Sequence, residues 1–183
     1  MKRMLAFVLL AACAAAQTTL SPAVKAFVTV DAPTIALTHA RVIDGTGAPA
    51  RENQMILIRN GRIERVQEAP YDPFLTGDAK VLDFTGYTVI PGLVGMHDHL
   101  IYPGALNPIH YSELDFSAPR LYLAGGVTTI RTTGSLDAYT DLSIKRDIDA
   151  GRAPGPKMFP AGPYLEGAVG LALARAVEER NAV

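Results

Sequence analysis

The spacing of apolar positions divides the chain into two kinds of region, with the change near residue 90. From residue 34 the apolar residues come in short β-rich runs closed by turn formers. The run 35–43 ends at Asp44-Gly45-Thr46-Gly47, a cluster of turn residues. Runs 55–59 and 62–66 flank Asn60-Gly61. Asn-Gly between two β-rich runs predicts a type I′ hairpin, because both central residues need positive φ. Charges alternate around Ile63 and Val66, which predicts a wet face on the second strand. The run 81–84, closed by Thr85-Gly86, completes a small β-sheet region over 34–90.

Past residue 90 the pattern lengthens. Leu93-Val94-Gly95-Met96-His97-Asp98-His99-Leu100 is apolar apart from His-Asp-His, as in a strand buried on both faces of a parallel sheet. Residues 101–116 are rich in Pro, Gly and Asn and read as a loop. Ser117-Ala118-Pro119 reads as an N-cap followed by a proline in the first helical turn, with the helix ending at Gly125-Gly126. A strand over 127–131 follows. Leu142, Lys145, Ile148 and Asp149 mark a helix that stops at Gly151. Residues 157–161 form a third apolar strand. Alternating strands and helices predict βαβ units and a parallel sheet, so the fold class is α/β.

The first residues are a separate object. Lys2 and Arg3 precede an apolar stretch, Leu5 to Ala16, that ends in small residues. This is the pattern of a secretory signal, too short for a transmembrane helix. Residues 1–16 are therefore expected to be a signal peptide, with cleavage before Gln17 and a periplasmic or extracellular location. Leu10-Ala11-Ala12-Cys13 also resembles a lipobox, and the alternative is a membrane-anchored lipoprotein with its lipid on Cys13. Residues 17–33 read as a mature leader without periodicity. Cys13 is the only cysteine, which excludes disulfides, thiolate catalysis and cysteine-based zinc sites in the mature chain. The 183 residues are 49% hydrophobic and 19% charged, with net charge −1. That is globular composition, and charges of both signs are interspersed, so no nucleic-acid partner is expected.

The candidate chemistry sits on His97 and His99. Residues two apart on a strand share a face, which directs both imidazoles one way and Asp98 the other. Their Cα atoms would lie roughly 6.6 to 7 Å apart, close enough for two rings to share an ion at about 2.0 to 2.1 Å. His-x-His alone is a weak signal. Its place at the end of an apolar strand, before a Pro/Gly-rich loop, is where α/β barrels carry their sites.

Val89-Ile90-Pro91-Gly92-Leu93-Val94-Gly95-Met96-His97-Asp98-His99 resembles the first barrel strand of the amidohydrolase superfamily, in its imidazolonepropionase-like and dipeptidase-like branch. Ala40-Arg41-Val42-Ile43-Asp44-Gly45-Thr46-Gly47 resembles the opening strand of that family's small β-sandwich. Ile58-Arg59-Asn60-Gly61-Arg62-Ile63 resembles its hairpin, and Gly126-Val127-Thr128-Thr129-Ile130-Arg131 its second barrel strand. The resemblance covers about residues 34 to 166. It implies a β-sandwich segment over 34–90, then the first strand-helix units of a (β/α)8 TIM barrel over 91–166. It also implies one or two divalent ions, usually zinc, on His97 and His99. The implied reaction is hydrolysis of a C–N bond in a small amide, cyclic amide or short peptide, with a metal-activated water.

Two departures accompany the resemblance. Thr132 and Thr133 follow Arg131 where many relatives carry aspartate. A complete barrel needs about 250 residues, more than remain here, and the generic Ala-rich run in 167–183 does not align. The chain is therefore expected to be an incomplete barrel and inactive alone. The competing readings are an inactive remnant that binds metal weakly and a non-catalytic β-sandwich binding module. Among other residues, His39 reads as an ordinary strand histidine, and His110, Tyr102 and Tyr111 as ordinary loop residues, with substrate contact as the alternative. Asp98 reads as a supporting or packing residue, and Glu166 as a group that could approach the site.

Overall fold

The computed structural model describes residues 19–68, 77–106 and 109–164, with backbone alone at 104–106 and 109–110. The expected signal peptide, Cys13, Glu166 and the 167–183 tail lie outside the described residues, as does the His110 side chain. The architecture is mixed α/β.

The 34–90 region forms one mixed sheet. Strands β1 (Thr34–Val42), β2 (Arg51–Arg59), β3 (Arg62–Glu68) and β4 (Lys80–Asp83) lie in the order β3-β2-β1-β4, and β5 (Thr88–Val89) pairs with β1 beyond β4. The β1-β2 and β2-β3 pairs are antiparallel, whereas β4 and β5 run parallel to β1. Asn60 and Gly61 turn the β2-β3 hairpin with φ of 49° and 73°, the two positive values that a type I′ turn demands. Along β1 every second residue, Thr34 to Val42, is buried, the period of a half-buried strand. Ala40, Val42 and Ile56 form the core of this sheet, with Leu37, Ile58, Val66, Phe84 and Val89 packed around them. At the β1-β2 irregularity His39 and Asn53 both adopt positive φ, and His39 Nδ1 lies 2.9 Å from Asn53 Oδ1. His39 thus belongs to a bulge of this sheet.

The second region is a three-stranded parallel sheet, β10-β9-β6, formed by β6 (Leu93–Asp98), β9 (Val127–Thr132) and β10 (Lys157–Phe159). Helix α2 (Ser117–Ala124) connects β6 to β9, and α3 (Ala138–Asp149) connects β9 to β10. Leu100, Ala118, Ile130, Ile144 and Met158 make the core between sheet and helices. Asp137 caps α3 by accepting from the backbone N–H groups of Tyr139 and Thr140, which satisfies two of the helix's unpaired first-turn donors. Gly151 follows with φ 66°, where a glycine avoids the Cβ penalty of a left-handed helix stop.

Four expectations change. Strand β6 is not buried on both faces: Leu93, Val94 and Met96 are exposed, because among the described residues β6 is an edge strand. The 101–116 segment is not a plain loop. It contains an antiparallel hairpin of β7 (Ile101–Leu106) and β8 (Ile109–Glu113), with Pro103 and Gly104 accommodated at a register irregularity. Ser117 is not the N-cap of α2. Phe116 holds that position without a side-chain cap bond, and Asp115 Oδ1 accepts from the Phe116 N–H. In the leader, Ser21 caps a one-turn helix, α1 (Pro22–Lys25), and ties it to the end of α3 by hydrogen bonds to Gly151 O and Arg152 O.

Candidate metal centre

His97 is the penultimate residue of β6, and His99 follows the strand directly. The β6-β9 register slips between Gly95 and Asp98. Such a bulge adds a residue to one strand, bends it and re-aims the side chains beside it. Gly95 lies under this bend: a Cβ there would meet Asp98 Oδ2 at 1.9 Å. The Asp98 carboxylate therefore folds back over the strand, with Oδ2 buried and without a hydrogen-bond partner. The two imidazoles stand next to one another. Their ring centroids are 5.4 Å apart and their planes meet at 82°.

That separation can be tested against an ion. Two imidazoles bound tetrahedrally to one zinc through nitrogens at about 2.1 Å have ring centres about 5 Å apart. The observed spacing fits a shared ion. His97 is exposed, whereas His99 is half-buried and held on both edges. Tyr164 Oη lies 3.3 Å from Nδ1, and Thr133 Oγ1 lies 3.5 Å from Nε2. The His99 carbonyl accepts from Tyr122 Oη at 3.0 Å, and Tyr122 in turn meets Tyr102 Oη at 3.1 Å. Burial pushes the Tyr122 hydroxyl above its ordinary range, reinforced by Tyr102 and by the Asp98 charge. Tyr122 therefore stays protonated and can keep donating. No cluster of three or more His, Cys, Asp or Glu side chains able to hold an ion occurs among the described residues; the histidines stand as a pair.

A cavity of about 220 Å³ opens beside His99. Tyr102 and Tyr111 line it, with Tyr164, Ser135 and Asp141 from elements far along the chain. Asp141, in the first turn of α3, is 2% exposed. Burial raises its carboxyl, opposed by the Ser135 hydroxyl, with further influences from Asp137, which raises it, and His99, which lowers it. Thr132 and Thr133, the pair that departs from the family pattern, have separate tasks. Thr132 Oγ1 accepts from Ala161 N at 2.7 Å and fixes the chain after β10, while Thr133 faces His99. Thr133, Ser135, Asp141 and Tyr164 carry no motif in the sequence; only the fold brings them to the histidines.

No family model matches the chain. The dihydroorotase of Syntrophotalea carbinolica is 31% identical over 157 residues, which is 81% of this chain and 33% of that protein. The dihydroorotase of Anaeromyxobacter dehalogenans is 32% identical over 140 residues, 73% of this chain and 30% of that protein. This chain belongs to the amidohydrolase superfamily. Among solved structures, phenylurea hydrolase B is 25% identical with a TM-score of 0.61, over 80% of this chain and 36% of the other. A Xaa-Pro dipeptidase shares the fold at 23% identity and a TM-score of 0.62, over 72% of this chain and 34% of the other. The chain spans at most about a third of the length of these curated relatives. Divalent metal ions are typical of the superfamily.

Proposed function

We propose that the chain carries the first metal-ligating strand of a metal-dependent amidohydrolase acting on a C–N bond of a small amide, cyclic amide or short peptide. His97 and His99 are the ligands, and zinc is the ion that suits a pair of neutral imidazoles beside a hydrolytic site. When bound, such an ion polarises a carbonyl and lowers the pKa of water. The chain's own residues do the positioning. Tyr164 and Thr133 fix the orientation of the His99 ring, and Tyr122 fixes its backbone. The 220 Å³ cavity beside that ring offers room for a small group.

The observation that carries this reading is the 5.4 Å spacing of the two rings at the C-terminal end of a parallel strand, the end at which barrel sites are built. Relatives named as dihydroorotases and as a phenylurea hydrolase support a hydrolase. The test is calorimetric titration of the 183-residue chain with zinc. One ion per chain is expected, and His97→Ala or His99→Ala should weaken it by about 100-fold or more. That exceeds the roughly 10- to 100-fold typical when only a supporting contact is lost. Unchanged affinity in both variants overturns the assignment. The 183-residue chain alone is proposed to lack hydrolase activity, since catalytic zinc generally has three protein ligands. Zinc-dependent turnover of an amide panel that disappears in His97→Ala would contradict this. The chain is further proposed to be exported, so N-terminal sequencing from the native host should begin at Gln17 or at lipidated Cys13. Intact Met1 on a cytoplasmic protein would refute export.

A further inference from the structure

The leader holds a surface that the metal reading does not use. Ser21 donates its N–H to Gly151 O at 2.8 Å and its hydroxyl to Arg152 O at 3.1 Å, which seats α1 against the end of α3. Two residues past α1, Phe27 reaches Arg120 of α2. The Arg120 guanidinium carbon lies 5.7 Å from the Phe27 ring centre and 3.7 Å from that of Phe116, and Arg120 also donates to Phe116 O. One cation thus stands between two aromatic rings, each of which attracts it. Both rings face solvent: Phe27 is 63% and Phe116 69% exposed, and Val28 beside them is exposed as well. Phe116, Arg120 and Leu123 recur at helical spacing and share one face of α2. Single exposed apolar residues are ordinary, whereas a patch drawn from two separate elements marks an interaction surface.

The chemistry of the patch and its place in the chain select a lipid surface. Lys25 and Arg120 form no ion pair among the described residues, and the neighbouring carboxylate, Asp115, accepts from the Phe116 N–H. Aromatic rings beside free cations suit a membrane–water boundary, where rings sit at headgroup level and a guanidinium reaches the phosphates. Ser21 lies eight residues past Cys13, and eight residues span at most about 26 to 29 Å. A membrane-held N-terminus therefore keeps this face near the bilayer. We propose that Phe27, Phe116 and Arg120 form a docking face for an anionic phospholipid membrane, with both rings at headgroup level and the guanidinium on lipid phosphates. The proposal rests on the export reading, which brings the face to a membrane. It supplies the second contact that a single acyl chain needs for stable anchoring.

The chain contains no tryptophan, so Phe27→Trp and Phe116→Trp each give the full chain one fluorescent reporter at the patch. Phe159→Trp is the comparison. Phe159 is also exposed, but it alternates on β10 with the core residue Met158 and so points to the other face of the sheet. Each variant is mixed with vesicles of phosphatidylglycerol and phosphatidylethanolamine, with and without brominated acyl chains. Emission of Phe27→Trp and Phe116→Trp is expected to shift to the blue and to be quenched by bromine, and that of Phe159→Trp to do neither. Adding Arg120→Ser to Phe116→Trp should weaken partitioning by about fivefold, the effect of one cation at an anionic surface. If the chain sediments with vesicles while both patch reporters stay unshifted, attachment lies elsewhere, the face is left to a protein partner and the proposal is overturned. Equal quenching of Phe159→Trp also overturns it, because any exposed apolar residue would then adsorb. If one patch variant fails to fold, the other decides. Intact Met1 on a cytoplasmic protein with quenched patch reporters would sink export and leave the lipid-binding face standing. A native N-terminus at Gln17 or Cys13 with unquenched reporters would sink the docking face alone.

Discussion

Tyr164 Oη and His99 Nδ1 stand 3.3 Å apart although 65 residues separate them in sequence. Thr133 Oγ1 approaches the other ring nitrogen at the longer distance of 3.5 Å. Nε2 is therefore the nitrogen more easily freed for an ion, with Nδ1–H donating to the Tyr164 hydroxyl. A hydrogen bond on the far nitrogen of a ligating histidine fixes its tautomer and orientation and raises its basicity. Tyr164→Phe should keep the ring and lose the hydroxyl. Zinc affinity is expected to fall by about tenfold, the lower part of the range for such supporting contacts. Parallel calorimetry of Tyr164→Phe and the unaltered chain checks this, and equal affinities would remove Tyr164 from the site.

Gly134 holds Tyr164 in place from below. It has φ of 102°, and a Cβ there would lie 2.3 Å from the Tyr164 ring. Gly134→Ala meets two penalties: about 1 to 2 kcal/mol for an L-residue in left-handed backbone and about 1 to 3 kcal/mol for overpacking. A loss of about 2 to 5 kcal/mol in urea unfolding is expected. Removing the ring should relieve the second penalty only. In a Tyr164→Ala background, Gly134→Ala should cost less than it does alone. Strict additivity across this cycle would show that the two residues do not press on one another.

How much of this was readable from the chain follows from how local each feature is. Asn60-Gly61 announces its hairpin because the required backbone lies in those two residues. His97 and His99 are likewise legible as a two-residue pattern, but strand alternation alone does not set how their rings meet, because His99 lies past the end of β6. The bulge between Gly95 and Asp98 is not readable, since it is a property of how β6 registers against β9. Pro103 and Gly104 read as breakers, yet β7 tolerates them at the irregularity of its pairing with β8. The cavity was invisible for the same reason. Asp141 lies in the first turn of α3 with a helix-like pattern around it, and nothing local marks its carboxylate as turned inward. Exposure of β6 also escaped, because an apolar run records what a strand can bury and not which neighbours cover it.

Asp141 gives the fold a pH signature. Burial lifts its carboxyl above the ordinary value of 3.8, against the opposing influence of Ser135. The folded chain then binds this proton more tightly than the unfolded chain does. As pH rises from the ordinary value through the raised one, stability falls, and above that window the loss is complete. Asparagine carries no such penalty. Asp141→Asn should therefore melt above the unaltered chain at pH 7, with the gap closing as pH falls below about 4. Thermal unfolding across this range checks it. A variant less stable than the unaltered chain at pH 7 would mean that the ionised carboxylate is on balance stabilised where it lies.

The open side of the parallel sheet sets the chain's behaviour in solution. On β6, Leu93, Val94 and Met96 are 49%, 57% and 62% exposed, and Phe159 on β10 is 51% exposed. Among the described residues β6 pairs only with β9, so its other edge presents unpaired backbone groups next to apolar side chains. Such an edge templates pairing with another chain, and natural edges commonly carry lysine to prevent it. A lysine on this strand would have to bury its charge whenever two copies paired. Val94→Lys should therefore weaken association while costing the monomer little, because exposed substitutions usually fall within about 0.5 kcal/mol. Sedimentation velocity over a concentration series is the measurement. The unaltered chain is expected to associate as concentration rises, and Val94→Lys to stay monomeric over the same range with an unchanged circular dichroism spectrum. If the unaltered chain is monomeric throughout, or if the lysine variant associates equally well, the β6 edge is not the surface that joins chains.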